Sequence, residues 1–225
     1  MKKKKLYTLN YTPSVNLIFK KKKFILSALN LAFLAFLSNK KIIYHKDLLM
    51  WPDGIFGKKY LKIKKIPGFE LISKIKIPKK IKKIVILGNL DSLEREFLTR
   101  KFQTKIEHKK VKHANIDIII KNLSLKFNDK NLYIITIPTP KQEQLALHIS
   151  KKMRNFKIIC IGGGLSIASG AVKQSPKIIT NLNLEWAWRL RTDTVRRISR
   201  LLSTFFVYIF KYLLFSNFIL KFKKN

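Results

Sequence analysis

The chain has 225 residues, 47% of them hydrophobic, and a formal net charge of +36. The length suits one α/β domain with a small appendage, the apolar content excludes wholesale disorder, and a lone cysteine, Cys160, excludes an intrachain disulfide. The charge suggests a polyanion or an anionic membrane as partner, but Lys, Ile, Phe and Asn are also what an A+T-rich coding sequence accumulates, so charge alone assigns no function.

Residues 1–23 are basic and weakly patterned, with Lys2–Lys5 and Lys20–Lys23 expected as solvated runs. Phe24–Leu29 reads as a strand running into a helix. The whole run Phe24–Leu37 is too short to span a bilayer, and no small-residue cleavage site follows it. Asp47–Trp51 is a short buried strand stopped by Pro52, and Lys82–Asn89 is a strand closing on Gly88. A helix follows over about Ser92–Phe102 with Asp91 as its N-cap. Ile116–Ile120 and Asn131–Ile137 are two further expected strands. Pro140 opens a helix, and Phe156–Ile161 is a strand that runs into three glycines. Short all-apolar strands alternating with helices indicate a mainly parallel, Rossmann-like sheet covered by helices on both faces.

In such sheets ligands sit beyond the carboxyl ends of the strands. The rim therefore carries Asp53-Gly54, Gly88-Asn89, Thr139 with Lys141 and Gln142, and Gly162-Gly163-Gly164. Asp53 closes a buried strand between Pro and Gly. A turn or N-cap is the commoner role for Asp-Gly, and a general base is the alternative. The glycine triplet can offer bare N–H groups to a phosphate, although its spacing is neither a dinucleotide fingerprint nor a Walker loop, and a tight turn explains it equally. Lys141 and Gln142 could hold uracil, ribose or phosphate, against the plain reading of an exposed first helical turn. Cys160 reads as a small buried strand residue. His45, His108, His113 and His148 share no metal-ligand spacing, and no Asp-x-Asp pair is present, so no metal or cofactor is expected.

The C-terminal part changes from lysine to arginine. Arg189, Arg196 and Arg200 are spaced by seven and four, and on one continuous helix they would share a face. Leu201–Leu220 is nearly all apolar, with Lys211 near its centre. Burying that lysine mid-bilayer would cost ~2.5–3.5 kcal/mol. A helix lying in the membrane interface, helped by ~1 kcal/mol per nearby cation on anionic lipid, is the cheaper arrangement.

The ordered segments "WPDGIFG", "KIPGFELI", "KKIVILGN", "PTPKQE", "IGGGLSIASGAVKQSPK" and "NLNLEWAWRLRTDTVRR" together resemble the WecG/TagA/CpsF proteins, glycosyltransferase family 26, over about residues 26–200. The resemblance implies metal-independent, inverting transfer of an N-acetylmannosamine-type sugar from a UDP-sugar donor to a polyprenyl-diphosphate-linked acceptor, for cell-surface polysaccharide. It places the protein peripherally, on the cytoplasmic face of the bacterial inner membrane, with an anionic membrane surface as partner. It implies Asp53 as general base. Thr139, Lys141 and Gln142 fall in the donor-binding segment, and Arg189, Arg196, Arg197 and Arg200 become diphosphate contacts from a membrane-docking appendage. The implied division is a basic arm over 1–23, an α/β domain over 24–183 and an Arg-rich helical appendage over 184–225. Ser166 stands where the family usually has Asp, Lys65 where it has Arg before "PG", and Thr194 where it has Pro. A catalytically silent nucleotide-sugar-binding relative is therefore an alternative. A nucleic-acid-binding protein is another, disfavoured because no recognition module is visible and aromatics do not interleave with the basic runs; no nucleic-acid partner is expected.

Overall fold

Among the described residues, every strand runs parallel to its neighbours in one eight-stranded sheet. The computed structural model describes residues 5–12, 14–37, 45–111, 114–182, 184–188, 194–209 and 218–224. The strands are β1 (Lys5–Tyr11), β2 (Phe24–Leu29), β3 (Leu48–Pro52), β4 (Lys83–Gly88), β5 (Lys105–Lys110), β6 (Asn131–Ile135), β7 (Lys157–Cys160) and β8 (Phe218–Lys224). Their order across the sheet is β5-β4-β6-β7-β2-β3-β1-β8. The helices are α1 (Leu31–Phe36), α2 (Gly54–Leu61), α3 (Gly68–Lys74), α4 (Ser92–Phe102), α5 (Ile116–Lys121), α6 (Lys141–Lys151), α7 (Gly164–Ala168), α8 (Lys177–Asn181), α9 (Glu185–Trp188) and α10 (Thr194–Ile209). A 3₁₀ turn covers Asn16–Lys20.

The period-two geometry of a strand sorts the apolar runs onto two faces. Ile25, Met50, Val85, Tyr133 and Ile158 turn to one face and meet Phe33 and Leu34 of α1, Ile119 of α5, Leu145 and Ile149 of α6, and Tyr208 of α10. Phe24, Leu26, Trp51, Ile86, Leu132 and Ile159 turn to the other and meet Ile18, Phe19, Leu71 and Ile72, with Leu98 of α4 and Leu165 of α7. Both faces are covered, which is why the central strands read as unbroken apolar runs. The expected α/β sheet is present. So are the Asp91-capped helix, whose Asp91–Glu94 capping box is complete, and the Pro140-opened α6.

Four stretches differ from the sequence reading. Ile116–Ile120, expected as a strand, lies in helix α5 (Ile116–Lys121). Its β-branched content favours a strand, but Ile116, Ile119 and Ile120 recur at helical spacing and pack on the core while Ile118 is exposed. Lys105–Lys110, not among the expected strands, is β5, whose Lys-rich pattern is that of a sheet edge with little burial. The stretch read as a plain basic arm supplies β1. Finally, the apolar tail is not one helix over Leu201–Leu220: α10 covers Thr194–Ile209, residues 210–217 lie outside the described residues, and Phe218–Lys224 is β8, paired in parallel with β1 from Lys5↔Phe218 to Tyr11↔Lys224. There Leu220 and Phe222 alternate with Lys221 and Lys223, a two-residue period. No helix among the described residues is long and apolar enough to cross a membrane.

Candidate active site

Because the strands share one direction, the segments after β2, β3, β6 and β7 leave from a single rim. β2 lies between β7 and β3, with Ser27 paired to both Cys160 and Met50. At about 4.8 Å per strand, the Asp53 and Gly162 segments stand about 10 Å apart across the end of β2.

Asp53 holds the N-cap position of α2, but its side chain makes no capping hydrogen bond. Asn30, the residue after β2, donates from Nδ2 to Asp53 Oδ2 at 3.2 Å. The other end of that amide, Oδ1, accepts the Phe33 N–H at 3.0 Å and caps α1. One residue thus closes a helix and steadies the carboxylate. Gly54, with φ +68°, turns the chain immediately after Asp53. Gly57 lets α2 sit directly on the strand ends, since a Cβ there would lie 2.6 Å from the Leu29 carbonyl oxygen and 2.7 Å from Pro52 Cα.

The first turn of α6 is not the exposed turn that its sequence suggests. Gln142 is 3% exposed and Glu143 0%. Glu143 Oε1 accepts from Ser27 Oγ at 2.7 Å, Gln142 Nε2 at 2.8 Å and Thr139 Oγ1 at 3.1 Å. Burial pushes its carboxyl pKa above the ordinary range against the pull of those bonds. Gln142 Nε2 also donates to Thr139 Oγ1 at 2.8 Å, and its Oε1 accepts the Gly162 N–H at 3.1 Å. Ser27 on β2, the segment after β6 and the glycine loop after β7 are therefore knotted together beneath the rim. Cys160 is buried beside the knot, with its thiol pushed well up by burial and by Glu143.

Within the glycine triplet the roles divide. Gly162 takes φ +52°, and its N–H is held by Gln142 and by the Ile135 carbonyl. Gly164 donates to the Ile161 carbonyl and lets α7 touch α3, since a Cβ would lie 2.9 Å from Gly68 C. At Gly163 an added Cβ would meet nothing within 4 Å. At the end of β4, Gly88 has φ +141° and Asn89 is exposed, its carbonyl accepting from Thr136 Oγ1 at 3.1 Å. Lys141 donates to the Ala114 carbonyl at 2.7 Å.

Ser166 donates to Glu94 Oε1 at 2.5 Å, while Glu94 Oε2 accepts the Asp91 N–H at 3.0 Å. A carboxylate from α4 thus stands beside the serine. Lys65 pairs with Glu185 of α9 at 2.8 Å, joining the segment before α3 to the Leu-Glu-Trp motif. Arg196, Arg197 and Arg200 fall on α10, and Arg189 lies outside the described residues. Helix α10 buries Thr204 and Tyr208 and packs on α1, while Ile198, Leu202, Phe205 and Phe206 are exposed. Among the described residues, no group of three or more His, Cys, Asp or Glu could hold a metal ion.

Of the pair Asp53 and Asn30, the sequence reading singled out Asp53 alone. Asn30 sits between an apolar strand and an apolar helix, an N-cap signature that was available. Glu143 and Ser27 are 116 residues apart, and nothing local marks them as a pair.

The chain matches the model of the Glycosyl transferase WecG/TagA/CpsF family over residues 15–219. It is also similar to the N-acetylglucosaminyldiphosphoundecaprenol N-acetyl-beta-D-mannosaminyltransferase of Staphylococcus aureus strain NCTC 8325 / PS 47. The two are 30% identical over 95 residues, which is 40% of this chain and 36% of that protein. The proteins of the same name from strains COL and MRSA252 match to the same extent. The match thus spans about a third of the length of these relatives.

Proposed function

Because the chain belongs to the glycosyl transferase WecG/TagA/CpsF family, we propose that it moves an N-acetylhexosamine-type sugar, N-acetylmannosamine-like, from a UDP-sugar to a polyprenyl-diphosphate-linked acceptor. The observation that carries this reading is the strand-end carboxylate of Asp53, steadied by Asn30 at 3.2 Å and set on the same rim as the glycine loop. Asp53 takes the proton from an acceptor hydroxyl. The freed oxygen attacks the anomeric carbon from the face opposite the leaving group, the bond from that carbon to the diphosphate oxygen breaks, and UDP departs with the configuration inverted. The Gly163 N–H and the arginines of α10, with Arg189, stabilise the charge on the departing diphosphate. Gln142 and Thr139 act from beneath, fixing the glycine loop rather than reaching the donor themselves.

Residues 24–183 form the catalytic domain in this reading, and 184–225 the appendage. The exposed ridge Ile198, Leu202, Phe205 and Phe206 on α10 enters the membrane interface, where the lipid-linked acceptor resides. The protein then works peripherally on the cytoplasmic face.

The test is UDP release, screened over UDP-N-acetylhexosamines with a short polyprenyl-diphosphate-linked amino sugar. Acceptor-dependent release supports the reading, and its absence with every donor contradicts it. Sedimentation with anionic vesicles tests the membrane role: replacing Leu202, Phe205 and Phe206 together by Ser should leave the protein in the supernatant. A second reading, a nucleotide-sugar binder without turnover, draws on the departures at Ser166 and Lys65, both engaged with glutamates. UDP binding without acceptor-dependent release would favour it.

A further inference from the structure

Tyr60 occupies a position that the proposed chemistry does not use. It lies near the end of α2, the helix that begins directly after Asp53. Its hydroxyl shares a 2.8 Å hydrogen bond with the hydroxyl of Tyr208 on α10. Its ring stands 5.7 Å from that of Phe222 on β8, with the planes at 43°. One half-buried side chain thus touches both elements of the tail. Tyr208 is 8% exposed, and burial together with the Tyr60 hydroxyl pushes its phenol pKa up.

The surroundings make this contact stiff. Helix α2 cannot slide on the sheet, because Gly57 already brings its backbone against Leu29 and Pro52. β8 is held along seven consecutive register pairs by β1, and β1 in turn pairs with β3, the strand that ends at Asp53, through Asn10↔Leu49 and Tyr11↔Met50. At ~1.5 Å per residue, Tyr60 stands roughly 10 Å along α2 from Asp53. Tyr208 stands roughly 12 and 18 Å along α10 from positions 200 and 196. The family match begins at residue 15 and ends at 219, so β1 and most of β8 lie outside it. The β1–β8 pairing is thus an addition to what the matched segment supplies.

We propose that Tyr60 is a positioning residue. With the β1–β8 pair, it clasps the tail against the catalytic domain and sets the distance between the α10 arginines and Asp53. The arginines' role rests on the function proposed above, whereas the clasp itself does not.

Hydrogen exchange on the full chain, in wild type, Tyr60→Phe and Tyr60→Ala, separates the two. In Tyr60→Ala, amides of 194–209 and 218–224 should exchange at least ~10-fold faster while those of β4, β6 and β7 keep their wild-type rates. Tyr60→Phe, which keeps the ring on Phe222 and loses the hydroxyl, should fall between. Acceptor-dependent UDP release by Tyr60→Ala should lose kcat with little change in the KM for the donor, because the base and the donor loops stay in place. Unchanged protection of both tail segments in Tyr60→Ala overturns the clasp, as does a uniform loss of protection through the sheet, which would mark a purely structural residue. Faster tail exchange in a protein whose wild type releases no UDP would leave the clasp standing and sink the proposed reaction.

Discussion

Replacing Gln142 by Ala separates a brace from a ligand contact. The amide makes three hydrogen bonds inside the protein, to Thr139 Oγ1 and Glu143 Oε1 at 2.8 Å each and from the Gly162 N–H at 3.1 Å. Each is worth about 1 kcal/mol net, and truncation leaves buried partners unmet, so the loss should be about 3 kcal/mol. The Gly162 N–H retains the Ile135 carbonyl at 3.3 Å, which keeps the loss from growing larger. For a chain of this size, that corresponds to a fall in Tm of roughly 6–12 °C. Calorimetry without ligand reads it directly. If Gln142→Ala melts within about 2 °C of wild type but binds UDP weakly, Gln142 is a donor contact and the brace argument is wrong.

The remaining predictions concern single contacts. Gly57→Ala would push a methyl into the Leu29 carbonyl and Pro52, costing about 1–3 kcal/mol and displacing Asp53 with α2, whereas Gly163→Ala, which meets nothing within 4 Å, should leave the melting curve unchanged. Ser166→Asp would set a second carboxylate against Glu94, which already caps α4. It should cost about 1–3 kcal/mol, as followed by denaturant midpoints. The pKa values of His45 and His148 are both lowered, chiefly by burial, so the folded state prefers them neutral. Their contribution is present above their ordinary value of 6.5 and is lost as the pH falls below it toward the depressed folded values. A His45→Asn, His148→Asn double variant should therefore show a flatter Tm between about pH 7 and 5.5 than wild type, and equal slopes would refute the assignment.

The core strands were legible because burial on both faces leaves them nearly all apolar, as in residues 84–88 and 158–160. With strand direction came the rim, and with the rim came Asp53 and the glycine loop. What the sequence hid depends on distant partners. Glu143 looks like an ordinary helix-start glutamate until Ser27 and Gln142 converge on it. Ile116–Lys121 looks like a strand until its i, i+3 spacing finds the core. β8 looks like the end of an apolar helix because its alternation is short and its partner, β1, lies more than 200 residues away. The glycines were visible, but not the division among them. Gly162 is there for its backbone angle and Gly164 for contact with Gly68, while a Cβ at Gly163 would meet nothing within 4 Å.

The central claim, that Asp53 is the base, is tested most directly by comparing Asp53→Asn with wild type in two assays: single-turnover transfer from the UDP-sugar, and equilibrium binding of UDP. The substitution keeps size and the Asn30 neighbour but removes the proton acceptor. Turnover should fall roughly 10²–10⁴-fold, with the Kd for UDP unchanged within about twofold. Turnover at the wild-type rate, or a loss fully accounted for by weaker UDP binding, would contradict the account.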